Sequence, residues 1–478
     1  MSNHESSLGK KALKAGFWYV VSSIMVKSIS ILTTPLFTRL LSTEQYGSVQ
    51  TFISWQSLLL PIFTLNLPYS IGRAKLDFEN QLNRYSGAMQ VLSALISILI
   101  ISVSIIFLAP LAILLELTQL ETILLMAYLF FSPTIHLYQT GYKYTYKYKQ
   151  NIAIAWYTTI GTTLLSIMLV YFSPKEDKAL MRIVGIVAPT VLLSTYLWIK
   201  SFKGKRININ QEYWRYALRI SIPLVFHTLS MHVLSQSDRI FITKIWGKTD
   251  TAFYSLAYTY GVALHVITTA VSEGWLPWFH DTMFVGKRQE IKKNVKPLVI
   301  LGCYVGLACV ALAPEAVYIL GGSKYAHSVA CVPPVVLGVI CQYIYTHYVN
   351  IELHLKKTVY VSAGTIIAAL LNILLNAIFI PLYGFVAAAY TTLASYFVLM
   401  IVHFTITRKV LHEKVYNDLF MFGSLAVTAT ATAGLMMTYD HTIIRYVIVF
   451  IGLLSFLYYF RNYIKDWVLK IGKKFNKT

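Results

Sequence analysis

The chain has 478 residues, of which 56% are apolar and only 13% charged, about half the ~25% charged fraction of soluble domains. With a mean hydropathy of +0.59, this excludes an ordinary water-soluble protein, because apolar runs of about 18 residues or more recur along the whole chain and only a bilayer absorbs so many. Forty-one Lys and Arg against 20 Asp and Glu give a net charge of +21, but it is spread over the loops between apolar segments, which argues against a nucleic-acid partner.

Residues 1–14 are polar and place Lys10, Lys11 and Lys14 ahead of an apolar run. That run is too long for a cleaved signal and is interrupted by Lys27, so it reads as an uncleaved first helix. Windows of about 20 residues predict fourteen spans, with twelve as the lower count. The first six cover 15–41, 46–69, 86–115, 120–142, 151–173 and 180–200. A basic connection over 201–215 precedes eight more, at 216–246, 252–275, 297–320, 328–350, 358–380, 383–407, 417–437 and 442–460. The expected fold is therefore an all-α integral membrane protein.

Excess Lys and Arg stays on the cytoplasmic side. With the N-terminus inside, only Arg39, Lys175, Lys178, Arg182, Lys244, Lys248, Lys324 and Arg445 fall in outer loops, and an even span count returns the C-terminus to the cytoplasm. The tail, 461–478, spaces Ile464, Trp467, Val468, Ile471 and Phe475 as one face of a helix lying on the inner leaflet. Alternating Tyr and Lys over 142–149 reads as an interfacial anchor. Cys303, Cys309, Cys331 and Cys341 lie in apolar segments without metal or redox spacing, and there is no Walker motif.

Sliding the sequence along itself places Thr38-Arg39 on Thr243-Lys244 and, at the same offset, Lys27 on His232, suggesting a repeated six-helix unit. The expected organisation is an N-lobe over 1–200, a cytoplasmic linker over 201–215, a C-lobe over 216–407, and two additional spans with the tail over 408–478. A charge at the bilayer centre costs at least ~2.5 kcal/mol, so each one requires a partner, a water-filled cavity or a ligand. Lys27 is the clearest cavity cation. His232 and Arg239, two helical turns apart, share a helix face, on which structural pairing competes with substrate contact. Asp238 and Glu273 are the intramembrane carboxylates suited to ion coupling. Arg73 follows Gly72 at the end of the second span, in a loop whose charges otherwise read as solvated.

The run 356–395, with Lys356-Lys357-Thr358, Asn372, Asn376, Ile380-Pro381, Gly384, Ala387-Ala388-Ala389, Thr391 and Ser395, resembles Wzx-type polysaccharide repeat-unit flippases of the multidrug/oligosaccharidyl-lipid/polysaccharide exporter superfamily. Thr38 to Ser42 with Tyr46-Gly47, Leu67-Pro68 with Gly72-Arg73, and Ser237-Asp238-Arg239 are similar to the same family. The resemblance implies two six-helix lobes around a V-shaped cavity, two extra C-terminal helices, and residence in the bacterial plasma (inner) membrane. It also implies alternating access for an undecaprenyl-pyrophosphate-linked oligosaccharide destined for O-antigen, capsule or other surface polysaccharide, with membrane lipids, a polysaccharide polymerase and chain-length proteins as partners.

On that reading Lys27, Arg73, His232 and Arg239 meet the pyrophosphate. No cofactor is expected beyond a proton or sodium gradient acting at Asp238 or Glu273. Ile31, Leu32, Thr33 and Thr34, standing where lipid II flippases offer a further Arg, argue against lipid II as cargo. An ion-coupled small-molecule exporter and a membrane enzyme of the same glycan pathway are the competing readings. Outer loops of about a dozen residues leave no room for a catalytic domain.

Overall fold

A computed structural model describes the backbone of residues 2–78, 81–203 and 209–475, and the side chains of 16, 18–78, 81–203 and 209–462. Residues 204–208 of the linker expected over 201–215, and the side chains of the amphipathic tail from 463 onward, lie outside the described residues.

Among the described residues the chain is helical without strands, as a bilayer demands: an α-helix satisfies its own backbone hydrogen bonds where no water can. The first lobe comprises α1 (Ser2–Leu40), α2 (Thr43–Thr64), α3 (Ser70–Asp77), α4 (Leu82–Ile106), α5 (Leu108–Leu114), α6 (Gln119–Tyr144), α7 (Tyr148–Phe172) and α8 (Lys178–Phe202). The second comprises α9 (Gln211–Trp246), α10 (Lys248–Phe284), α11 (Arg288–Ala311), α12 (Ala313–Gly321), α13 (Val332–His354), α14 (Thr358–Tyr383) and α15 (Phe385–Thr405). Two further helices, α16 (Asp418–Met436) and α17 (Thr442–Phe475), pack against α11. We call the end of the bundle where α1 begins the near end and the end where it finishes, at Leu40, the far end.

Local chemistry sets the boundaries. Ser42 and Gln45 form a capping box at α2, and Thr118 and Glu121 form another at α6, each satisfying backbone donors that the first helical turn leaves free. Gly247, with φ +94°, reverses the chain between α9 and α10.

Among the described residues twelve helical segments are long and apolar enough to cross a membrane. The two expected spans that fall short are α2 and α10, which are 22 and 37 residues long. They lie at the lobe interface, where α2 packs on α6, α9 and α10, so much of their length faces protein rather than lipid. Fourteen long helices thus remain the architecture.

The spans expected at 86–115 and 297–320 are each broken, at Phe107 between α4 and α5 and at Leu312 between α11 and α12. The offset between these two breaks equals that between Thr43 and Lys248, the first residues of α2 and α10, and that between Thr38 and Thr243. The internal repeat is therefore present in the helix boundaries themselves.

Candidate functional site

The lobes meet along α1 and α2 on one side and α9, α10 and α12 on the other. At the far end the seam is shut. Lys324 donates to the Leu41 carbonyl at 2.8 Å, and Thr38 to that of Leu320 at 2.5 Å. Thr51 and Thr243 share a hydrogen bond of 2.7 Å, and the Tyr46 and Tyr325 rings meet edge to face. Gly47 lies so close to the Lys248 backbone that a Cβ there would stand 1.7 Å from its carbonyl oxygen.

Toward the near end several polar groups lack protein partners among the described residues. Lys27 is half-buried on α1 and makes no hydrogen bond or ion pair among the described residues; its charge acts on His265 of α10 across the seam. His265, Thr269 and Glu273 follow at four-residue spacing and so share one face of α10, with Glu273 exposed. Between α2, α6 and α9 lies a cavity of about 320 Å³, lined among others by Asn66, His136, Thr140, Lys143, Tyr144 and His232. It draws on both lobes.

The backbone is strained beside this cavity. Leu65 and Asn66, at the end of α2, both adopt left-handed conformations, with φ of 45° and 50°, a region costly for a side chain as large as leucine. The strain places the Asn66 amide across the seam, donating to the Leu224 carbonyl and the Thr228 hydroxyl at 2.9 Å each. On the other wall Tyr144 sits against Gly72, where any Cβ would fall 2.4 Å from the ring.

The expected site residues therefore separate. His232 lines the cavity and Lys27 stands on the seam. Arg73 stays outside: it is exposed on α3 and paired with Asp77 at 3.2 Å. The Tyr216 hydroxyl, and after it Arg73, hold the Asp77 carboxyl below its ordinary range, while Asp77 raises Arg73. Arg239 is 5% exposed. Its guanidinium donates to Ser255 at 3.0 Å, the Ser235 carbonyl at 2.9 Å and Gln236 at 3.2 Å, so it is held within the C-lobe.

Asp238 is wholly buried. Its carboxylate accepts from Tyr254, from Asn376 at 2.6 Å and from Thr392 at 2.7 Å, while Asn372, Thr391 and Ser237 complete the oxygen-rich cluster. Adjacent residues on a helix point about 100° apart, and Tyr254 bridges them: its hydroxyl binds Asp238 while Arg239 lies 5.5 Å over its ring. Gln236, which accepts from Arg239, also accepts from Ser54 of α2 at 3.3 Å. The buried carboxylate is thereby linked to the seam.

Sequence reasoning missed His136, Lys143 and Asn66. The signal for Lys143 is the Tyr and Lys alternation, which reads as an anchor; His136 and Asn66 give none, because their neighbours come from distant helices.

Two six-helix lobes with a polar seam and two appended helices define a multi-pass membrane protein with a transporter fold. The chain matches the lipid II flippase MurJ in an inward closed conformation with a TM-score of 0.73 at 12% identity, covering 93% of this chain and 99% of that one. It matches an inward-facing multidrug resistance MATE family transporter of the MOP superfamily with 0.55 at 12% identity, covering 82% and 94%. The pattern of a family described as polysaccharide biosynthesis protein matches residues 12–283, more than half of the chain, and the chain belongs to that family. Lsg locus putative protein 1 of Haemophilus influenzae is 23% identical over 288 residues, 57% of this chain and 67% of that protein.

Proposed function

We propose that this protein is a flippase that carries undecaprenyl-diphosphate-linked oligosaccharides from the cytoplasmic to the outer leaflet of the bacterial plasma membrane for surface polysaccharide assembly, rather than an enzyme. The near end, with both termini, faces the cytoplasm. The observation that carries this reading is the cavity of about 320 Å³ between the lobes, whose Lys143, two imidazoles, amide and hydroxyls face a space at the lower end of the ~300–1,000 Å³ of ligand sites. That volume takes a diphosphate or a single sugar, so the rest of the glycan would extend along the seam.

A diphosphate and hydrated sugars cannot cross ~30 Å of hydrocarbon unaided, while the polyprenyl tail can stay in lipid. Lys27 and Lys143 would offset the desolvated phosphate charge, since ionised donors make the strongest hydrogen bonds. A coupling cation, proton or sodium, acts at Asp238. Neutralising that carboxylate alters how Tyr254 and Arg239 are held, and through Gln236 loosens the hold of Ser54 on the seam, so the far end opens. Glu273, on the seam face of α10, is the second coupling group. Polymerase and chain-length proteins would receive the product.

Deletion of the gene, followed by analysis of surface glycan and of the sidedness of lipid-linked intermediates, tests this reading. Loss of polymer with repeat units trapped on the inner leaflet is expected. Intermediates reaching the outer leaflet unpolymerised would overturn it, as would an unchanged glycan with altered drug tolerance.

A further inference from the structure

The cavity between the lobes holds polar groups of two kinds. Among the described residues the side chains of His136, Thr140, Lys143 and His232, all of which line it, make no hydrogen bond or ion pair. The Asn66 amide nitrogen is engaged by Leu224 and Thr228, while its side-chain oxygen accepts from no described group. A phosphate presents acceptors alone and is held by donors. A sugar hydroxyl, like that of threonine, both donates and accepts. Two imidazoles, a hydroxyl and an amide oxygen beside a single ammonium therefore suit a sugar next to an anion better than an anion alone.

Two aromatic rings line the same cavity. Tyr69 is 58% and Tyr144 38% exposed; among the described residues neither ring stacks on another and neither hydroxyl makes a hydrogen bond. Their neighbours on α6 are occupied: Tyr138 and Tyr142 pack together at 5.6 Å, and Tyr146, just beyond the helix, carries the Lys75 ammonium 5.0 Å over its ring. Tyr69 stands between Leu67 and Ile71, both fully buried, and the Ser70 hydroxyl donates to the Leu67 carbonyl and accepts from Tyr85, each at 2.7 Å. Lys75 donates to the Tyr144 carbonyl at 2.7 Å, and Gly72 leaves room for the ring. The turn that follows Tyr144 recurs after α13: Tyr146 and Lys356 have φ of 57° and 60°, and the main-chain nitrogens of Lys147 and Lys357 donate back to Tyr142 and Glu352. Where the N-lobe copy has Tyr144, the C-lobe copy has His354, which shares a hydrogen bond of 3.1 Å with His280. One copy meets protein, and the other faces the cavity.

We propose that Tyr69 and Tyr144 form the platform on which the diphosphate-linked sugar of the cargo, a pyranose, is stacked, with the imidazoles of His136 and His232 at its hydroxyls and Lys143 at the phosphate. This deepens the proposed function and rests on it. The face of an aromatic ring is apolar and electronegative, so it receives the C–H face of a pyranose while the hydroxyls at the sugar's rim keep their hydrogen bonds. A volume of about 320 Å³ holds one such ring. The protein therefore reads the sugar at the lipid end of the repeat unit, and sugars farther out lie beyond the platform.

The test measures binding to the full chain in lipid nanodiscs with two probes: undecaprenyl diphosphate without sugar, and the lipid-linked intermediates extracted from the deletion strain. Wild type should bind the sugar-bearing probe about tenfold more tightly, the scale of stacking a ring on aromatic side chains. Tyr69→Ala and Tyr144→Ala should each remove most of that preference, yet change affinity for bare undecaprenyl diphosphate by no more than about twofold, as a surface substitution does. Tyr69→Phe and Tyr144→Phe should keep the preference, because the ring carries it. Gly72→Ala, whose Cβ would displace the Tyr144 ring, should act as Tyr144→Ala does, and Lys143→Gln should weaken both probes. Thermal unfolding of each variant precedes binding, and exposed Tyr69 gives a variant expected to fold as wild type. Equal affinity of the wild type for both probes, equal loss for both in Tyr69→Ala, or an undiminished preference in the two alanine variants would overturn the platform and leave the flippase reading standing. A wild type that binds neither probe would overturn both.

Discussion

The two lobes repeat one helical plan but fill its centre differently. In the C-lobe, Asn376 of α14 and Thr392 of α15 both bind Asp238. Counted from the first residue of each helix, the same places on α7 and α8 of the N-lobe hold Ser166 and Gly185. There the helices touch, since a Cβ on Gly185 would come within 2.5 Å of the Ser166 Cα. At the repeat offset Asp238 itself answers to Thr33, whose hydroxyl binds its own helix at Ile29 and Ser30. One copy of the fold buries a carboxylate with donors around it, and the other closes the space with small residues. The N-lobe meanwhile supplies Lys27, His136 and Lys143. On the proposed function, cargo charge and coupling charge would fall to different lobes, joined at the seam through Gln236 and Ser54.

That division can be broken from either side. The largest effect on folding is expected from Asp238→Ala, which strands the Tyr254, Asn376 and Thr392 donors at ~1–3 kcal/mol each. Thermal unfolding of the purified protein should show a marked drop, whereas Asp238→Asn should keep more of the fold yet lose export. Gly185→Val tests the opposite lobe: forcing α7 from α8 should cost ~1–3 kcal/mol, as overpacking does, without a specific effect on ion dependence. An unchanged unfolding temperature would show that the N-lobe contact is loose.

Lys27→Glu should sharpen the cargo side. A seam position with no partner among the described residues predicts a stability change within ~0.5 kcal/mol but loss of surface polysaccharide at normal membrane abundance; full export would remove Lys27 from the cargo path. Arg73→Gln should matter least, because the Arg73 and Asp77 pair is exposed and screened. The Tyr216 hydroxyl and, after it, Arg73 hold Asp77 below its unfolded value, so the contribution of these contacts is complete above the ordinary carboxylate range of ~3.9 and fades as pH falls through its lower folded value. Export and unfolding of this variant should match wild type between neutral pH and about pH 5, which titration by circular dichroism would check.

Much of the architecture was legible in sequence, because bilayer thickness fixes span length and apolar runs are long. The breaks at Phe107 and Leu312 were not, since both are apolar residues inside apolar runs and only Pro110 and Pro314 stand nearby. The low apolar character of α2 and α10 was visible, yet only their place at the seam explains it. Asp238, Arg239 and His232 were legible as polar groups within apolar segments. Their separation into a core cluster and a cavity was not, because periodicity gives a shared helix face but not the neighbour that each residue meets along it. Asn372 and Asn376 stand one helical turn apart in the sequence, and their partners on α9, Ser237 for Asn372 and Asp238 for Asn376, required the fold.

The far-end seal has an electrical consequence. With Gly47 pressed on the Lys248 backbone and Lys324 drawn to the end of α1, the two lobes are joined at the far end in this state, whatever the near end admits. On the proposed function the protein would be a well rather than a pore. A membrane that stores ~2.3 kcal/mol per charge for each 100 mV can therefore hold many copies of it without discharging, and the width of the cargo need not be traded against leakage.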